Sequence, residues 1–505
     1  MARMVTYNWL WGYLIPIGFA MLVWAGLPPR QRRRLAPAAT LATALAVLGY
    51  WAAGFALHMG GAYPVTEDGS LEALRAMFSL VSDDPGWGIA GLAGFFLSGP
   101  DLTPEVRRLF LVYLPLIATA VTLVTVALSQ ARRWVMVAAG ALAGAVVVPV
   151  AACWTWGSGW LSHLGATMGM GSGFVDFGGS ALILWLPGML VLPILLLQRP
   201  RPDDAGPGSQ NDDQAPAPPA NYAPLVSSFG ALLAGVGWLG WSLSTPFHVS
   251  GAVLDWQQTA INVLVGMAGA AVTAHLYGWL ATGKLETLIS PLGLSAGWGA
   301  LLATAPFVPV WAALMIGLLT GLLFPLAHHA AYRKLRDHSG TTVVALALTG
   351  GLLGTLGSAV LADGRWGQGW NGMGHGLSSD GAVVGSGVAG IFVTGDTQQL
   401  SAQAIGLLAL AAWGLVWGTA IGFAARVSSR RLPAEQTSTP GDEDTPPLGA
   451  RAEPSDVAEP LPTPAPPQAP ATGDHIPYDD PLSTQFVATA TDQDAEPKIS
   501  ETKES

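Results

Sequence analysis

Runs of about twenty mostly apolar residues recur along the first 430 positions, separated by short polar breaks. A helix rising 1.5 Å per residue needs roughly twenty such residues to cross the hydrocarbon core of a bilayer. The pattern therefore predicts eleven helical spans, near 6–27, 36–58, 106–128, 134–155, 174–197, 224–245, 257–281, 292–306, 308–331, 341–362 and 400–425, the eighth shorter than the rest. The stretch Gly86–Leu97 is apolar but too short to cross, and Pro100 and Asp101 follow it; a re-entrant or interfacial piece is expected there. Two segments break the pattern. Residues 199–223 are rich in Pro, Asp and Asn, and residues 431–505 in Pro, Ala, Thr and acid. Neither holds enough apolar surface to offset the entropy of ordering. The expected organisation is a transmembrane domain over 1–430, interrupted by a flexible cytoplasmic loop at 199–223, then a disordered acidic tail over 431–505. That tail reads either as a solvating extension or as a docking segment for a soluble regulator.

The basic residues test this count. Arg30, Arg32, Arg33 and Arg34 follow the first span, and Arg132 and Arg133 the third. Arg199 and Arg201 follow the fifth and Lys284 the seventh. Arg333, Lys334 and Arg336 follow the ninth, and Arg426, Arg430 and Arg431 the eleventh. The alternate loops hold only Arg75, Arg107, Arg108 and Arg365, beside acids such as Glu67, Asp68, Asp83, Asp84 and Asp380. Because cytoplasmic loops collect Lys and Arg, the alternation places the N-terminus outside and the C-terminus in the cytoplasm of a multi-pass cell-membrane protein. The first span is expected to be retained, since Leu27-Pro28-Pro29-Arg30 is a poor small-residue cleavage site.

Composition sharpens this picture. Hydrophobic residues make up 51% of the 505 positions and charged residues 11%, against about 25% charged in soluble domains. The net charge of −10 is local: residues 432–505 carry −12, so the remainder is about +2. The acidity therefore says nothing about a basic substrate, and no basic stripe suggests nucleic acid as a partner. One cysteine, Cys153, excludes an intramolecular disulfide and a Cys-based metal cage. No phosphate-binding loop or nucleophile elbow occurs in a suitable context, so neither an enzyme nor a cofactor is expected. His163, His248 and His375 fall in outer loops with no metal-ligand spacing, His328 and His329 near the cytoplasmic end of span nine, and His275 inside span seven. For His275 a packed, hydrogen-bonded role is expected before a functional one.

Several segments resemble the ammonium transporter (Amt/Rh) family. Trp156-Gly-Ser-Gly-Trp160-Leu161 followed by Asp176-Phe177-Gly178-Gly179-Ser180 is similar to the family's W-G-G-G…D-F-A-G-G signature. Gly237-Trp238-Leu239-Gly240-Trp241 is similar to its G-W-F-G-F segment. Residues 293–321, with Thr304-Ala305-Pro306, follow the family's order, as do the Gly49-Tyr50 turn region and Gly395-Asp-Thr-Gln-Gln399-Leu400-Ser-Ala-Gln403. The resemblance covers roughly residues 6–430. It implies an inverted-repeat channel fold, a homotrimer in the lipid bilayer with one pore per subunit, and ammonium or ammonia as substrate. Trp156 matches the family's outer-vestibule Trp, whose face holds a cation. Trp241 falls on an aromatic gate position, Thr245 on a vestibule hydroxyl, and Asp176 on the Asp that opens span five.

Each of these has a plainer reading. Trp156 can be an interface anchor, Trp241 core packing, and Thr245 a donor to its own helix backbone. Asp176 can be a cap on the free N–H groups of span five. The family's twin pore histidines are replaced here by Leu184 and Ala347, neither of which bonds ammonia or relays a proton; Trp185 and Pro187 follow Leu184 and are expected to narrow or bend span five. Arg431-Leu-Pro-Ala-Glu-Gln436 resembles the start of the family's regulatory tail, but the glycine-aspartate and His-Gly-Glu segments that follow it in the family are missing, which argues against a PII-type regulator. Three functions stay open: ammonium transport, a channel for another small neutral solute, and a non-conducting sensor that signals through its tail.

Overall fold

In the computed structural model, every predicted apolar run except the eighth is a helix of at least 18 residues. The structure describes residues 7–66, 68–81, 84–99, 102–198, 222–244, 246–249, 252–284, 287–373, 376–377, 383–384 and 387–431. The chain divides into two units, Met1–Glu435 and Gln436–Ser505. The second unit, most of the 199–223 loop, His375 and Thr245 lie outside the described residues.

The long helices are α1 (Asn8–Gly26), α2 (Gln31–Met59), α3 (Pro104–Ala127), α4 (Arg133–Thr155), α5 (Ser180–Leu197), α6 (Ala223–Ser242) and α7 (Trp256–Thr282). After the short α8 (Ile289–Leu301) come α9 (Val310–Leu335), α10 (His338–Leu361) and α11 (Gln398–Arg431). The sequence predicted the eighth span over 292–306; the helix instead starts earlier and stops at Leu301, thirteen residues in all. Turns replace it up to Pro309, because Pro306 and Pro309 each push the preceding residue out of the helical region. Unpaired carbonyls there are costly at bilayer depth. Asn262 of α7, fully buried, meets two of them: its Nδ2 donates to Ala305 O at 2.8 Å and to Val308 O at 2.6 Å.

Gly86–Leu97 does not cross. It forms a 3₁₀ turn, then strand β2 (Gly88–Gly91), then a second 3₁₀ turn over Phe95–Leu97. Strand β2 pairs antiparallel with β1 (Met77–Ser79), Met77 opposite Gly91. A Cβ at Gly91 would overlap Ala56 O and Gly60, so this ribbon lies directly on the end of α2. A second short ribbon joins β3 (Gly376–Leu377) to β4 (Val383–Val384).

Glycine sets the closest helix contacts. A Cβ on Gly317 would overlap Gly266 O, and one on Gly321 would overlap Ala270 O, so α9 lies backbone to backbone on α7. Gly293 and Gly297 bring α8 onto the same stripe of α7, and Gly18 meets Gly230 between α1 and α6. Small residues four apart are the means by which membrane helices gain packing energy when lipid offers no hydrophobic drive.

Four stretches are π-helical among the described residues: Tyr50–Gly54 in α2, Ala143–Val147 in α4, Ser180–Trp185 in α5 and Ala347–Gly351 in α10. Gly49-Tyr50 is accordingly no turn; α2 runs through it with one widened coil. The stretches meet in pairs, α2 on α4 and α5 on α10: Gly49 and Gly54 lie against Gly144, and Gly351 lies against Trp185. A widened turn leaves carbonyls for outside donors, and Trp413 Nε1 of α11 donates to Val147 O at 2.9 Å. Arg32 plays a comparable part at the basic end. Its guanidinium, 6% exposed, donates to Leu27 O and Ala25 O and lies over the Trp24 ring, closing the C-terminus of α1.

Asn262→Leu is expected to lower stability by about 1–3 kcal/mol, the cost of leaving the turn carbonyls unpaired. The lower unfolding temperature should be read in detergent; Gln258→Ala, which removes only a 3.3 Å side-chain contact, should change little.

Candidate functional site

Between α4 and α5 the chain runs from Trp156 to Gly179 through turns and one short helix, Leu164–Met168, and both backbone bonds and side chains anchor it. Asp176, 2% exposed, accepts from Gly179 N (3.1 Å) with Oδ1 and from Leu182 N (2.9 Å) with Oδ2. The carboxylate thus caps α5, where free N–H groups and the helix dipole favour negative charge. Gly179 at φ +100° makes the turn into the helix, a conformation that disfavours side chains. Trp156 Nε1 donates to the carbonyl of Asp176 at 2.7 Å, so these two residues, twenty apart in sequence, form one unit.

The motif at the start of α11 supplies the other anchors. Gln399 accepts from Ser172 N (2.9 Å) and donates to Gly173 O (2.9 Å). One turn later Gln403 accepts from Val175 N (2.8 Å) and donates to Val175 O (2.7 Å). Each carboxamide pairs with backbone as a neighbouring strand would, which explains two glutamines at i and i+4 on one face. Across the site, Ser180 Oγ donates to Gly299 O (2.7 Å) and accepts from Ala303 N (2.9 Å).

The remaining sequence-predicted residues fall as follows. Trp156 is 1% exposed, and its ring is stacked on the imidazole of His248 with centroids 5.2 Å apart and planes at 14°. Its other aromatic neighbours are Tyr113 (5.8 Å) and His58 (6.4 Å). Trp241 is fully buried; its Nε1 donates to Val112 O at 2.7 Å, and its ring lies 6.5 Å from Trp238. It adjoins the same part of α3 as Tyr113 but does not touch Trp156 or Asp176 through any polar contact described. Leu184 and Ala347 both sit in π-helical stretches, in α5 and α10 respectively, and both are buried. Leu184 Cδ1 fills the space over Gly299, and the Ala347 methyl fills the space over Gly188, so each is a knob in a glycine hole. Trp185, following Leu184, donates to Leu407 O of α11 at 2.9 Å. His275 is hydrogen-bonded as expected, with Nδ1 2.8 Å from Ser290 Oγ, but it is half-buried beside the exposed Val272 and Leu276 rather than in the core.

Sequence reasoning did not single out the polar aromatic cluster around Trp156. His248, assigned from sequence to an outer loop, is in fact buried. Its Nε2 lies 2.7 Å from Phe177 O, a pure acceptor, so Nε2 carries the hydrogen. Its Nδ1 therefore accepts from Tyr113 Oη at 2.8 Å. Burial pushes the His248 imidazole down to about 3, which keeps the ring neutral against Trp156. His58, the second imidazole, closes α2 with Nδ1 2.9 Å from Tyr50 Oη. A polar tip at the end of one apolar run, a tyrosine inside another and a histidine just past a third were the available signals. Their convergence is a tertiary fact that spacing does not carry. No set of three metal-ligating side chains occurs among the described residues.

Comparison with known proteins adds the following. Residues 3–445 match the model of the Ammonium Transporter Family. Ammonium transporter Amt2 of Archaeoglobus fulgidus is 28% identical over 304 residues, 59% of this chain and 63% of that protein, so the chain spans less than two thirds of that relative's length. Among solved structures, one described as a Sensor Amt Protein superposes with a TM-score of 0.60 at 20% identity, covering 84% of this chain and 94% of the other. Saccharomyces cerevisiae Mep2 gives 0.59 at 18% identity, covering 84% and 87%. At these identities the structures establish a shared fold.

Asp176→Ala is expected to free two buried N–H groups and cost about 1–3 kcal/mol, seen as a lower unfolding temperature in detergent. Asp176→Asn, which keeps one acceptor oxygen, should lose distinctly less.

Proposed function

The chain belongs to the Ammonium Transporter Family, and on that premise we propose that it carries ammonium nitrogen across the cell membrane, passing the α5–α10 contact as neutral ammonia. The observation that carries the neutral form is the pair Leu184 and Ala347, buried apolar side chains on facing π-helical stretches whose hydroxyls, Ser180 and Thr349, already donate to the backbone carbonyls of Gly299 and Ala345. Stripping a charge of water without a compensating partner costs far more than stripping a neutral amine. Ammonium reaching the Trp156 end therefore gives its proton back to water on that side, and ammonia alone moves through. The proton is regained from water on the far side, so the net event carries no charge.

In this reading Trp156, Trp241 and Asp176 form the outer end of the path. Asp176 acts by holding α5 and the Trp156 indole in place rather than by touching the substrate, since both its oxygens are committed to backbone N–H groups. The basic loops lie in the cytoplasm, the N-terminus outside, and three copies assemble in the membrane. The assembly and orientation rest on the family and on the Lys/Arg alternation.

The test is an ammonium jump on proteoliposomes, with internal pH and membrane current recorded together and protein-free vesicles as the baseline. The expected result is an internal alkalinisation faster than the baseline with no current. Current that saturates with ammonium would mean charged transfer and overturn the neutral route. Traces indistinguishable from empty vesicles would overturn transport itself.

A further inference from the structure

His58 ends α2 with its ring fully buried. Its Nδ1 is engaged by Tyr50 Oη at 2.9 Å, while its Nε2, equally buried, has no hydrogen-bond partner. Buried ring nitrogens are nearly always paired, so an open one calls for an account. The neighbouring imidazole makes the contrast plain, because His248 has both nitrogens bonded, to Tyr113 Oη and Phe177 O. Around His58 stand three aromatic rings. Tyr113 is 4.7 Å away and edge-on, Tyr50 6.1 Å and Trp156 6.4 Å.

The chemistry of that surround selects a ligand. The Tyr50 hydroxyl both donates and accepts, so it supports either neutral tautomer of His58. With Nε2 unprotonated, the ring offers a lone pair to an N–H of ammonium, and an electron-rich aromatic surround of Tyr50, Tyr113 and Trp156 suits a small cation. With the hydrogen on Nε2, the ring donates to the lone pair of ammonia. One nitrogen thus suits both protonation states of one small solute. A divalent metal finds too few ligands here, for no group of three metal-ligating side chains occurs among the described residues. An alkali cation finds no ring of oxygens.

We propose that His58 Nε2, walled by Tyr50, Tyr113 and Trp156, is a binding point for ammonia or ammonium in this chain. It gives the solute a hydrogen-bonding imidazole at the Trp156 end of the path, whereas the α5–α10 contact at Leu184 and Ala347 offers none. The inference rests on the transport reading for its choice of solute, but its test does not depend on transport occurring.

The full-length protein, labelled with ¹⁵N-histidine, is titrated with ammonium chloride and, separately, potassium chloride. The His58 signal is assigned by its loss in His58→Gln. A saturable shift of the His58 ring nitrogens with ammonium but not potassium is the expected result. Tyr50→Phe, which frees Nδ1 without touching the imidazole, should weaken the apparent affinity about tenfold, as for one lost hydrogen bond. It also supplies the assignment if His58→Gln does not fold. No shift, or equal shifts with both salts, overturns the site and leaves Nε2 to water. The same preparations are tested for ammonium-driven alkalinisation in vesicles. A His58 shift without alkalinisation upholds the site and removes the transport reading; alkalinisation without a His58 shift does the reverse.

Discussion

Irregular backbone placed within a membrane protein has to find all its hydrogen-bond partners inside that protein, because lipid supplies none. Most of what distinguishes this fold follows from meeting that demand in two places, the 156–179 segment and the turns after α8. Where the backbone does not pair with itself, a small set of side chains does it. Asp176 caps α5, Gln399 and Gln403 pair with residues 172–175, Asn262 closes the turns, and Ser180 bridges from α5 to Gly299 and Ala303 on either side of the end of α8. Asn371 adds donors to Ser172 O and Phe174 O. With these in place the chain can leave helical geometry without exposing polar groups, and the freedom so gained puts Trp156 beside Asp176.

Tryptophan serves the same demand. Membrane proteins commonly set this residue at the lipid–water boundary, yet several indoles here point inward and pin carbonyls: Trp154 to Ile89, Trp156 to Asp176, Trp185 to Leu407, Trp241 to Val112 and Trp413 to Val147. Each joins two elements by a single strong donor while burying a large apolar surface. The high tryptophan content is thus in part a stock of internal cross-links.

The helices were legible because twenty-residue apolar runs carry their own period and length. Even the short eighth helix was visible, though its true end at Leu301 depended on prolines whose effect extends a few residues upstream. The Asp176 cap could be read because its chemistry is local, a carboxylate at a helix start; Gln399 and Gln403 were visible only as part of the family motif, because their partners lie 227 and 228 residues away. Gly86–Leu97 was correctly denied a crossing, but its pairing with residues 77–79 is a long-range contact that twelve apolar residues do not announce. The cluster of Tyr50, His58, Tyr113 and His248 was illegible for the same reason. Its members sit on α2, on α3 and past α6, and only packing brings them to Trp156. Histidine 248 misled most, since a residue just beyond a span looks solvated until the neighbouring loops fold over it.

The glycine stripe on α7 bears on how such a molecule can move. Where Gly317 and Gly321 rest on the carbonyls of Gly266 and Ala270, and Gly293 and Gly297 press on the same stripe from α8, no layer of side chains remains to act as a bearing. Helices in that state neither slide nor pivot without prying backbone from backbone. The helices α7, α8 and α9 are so interlocked that they move as one body. Rearrangement within that block is left to side chains alone.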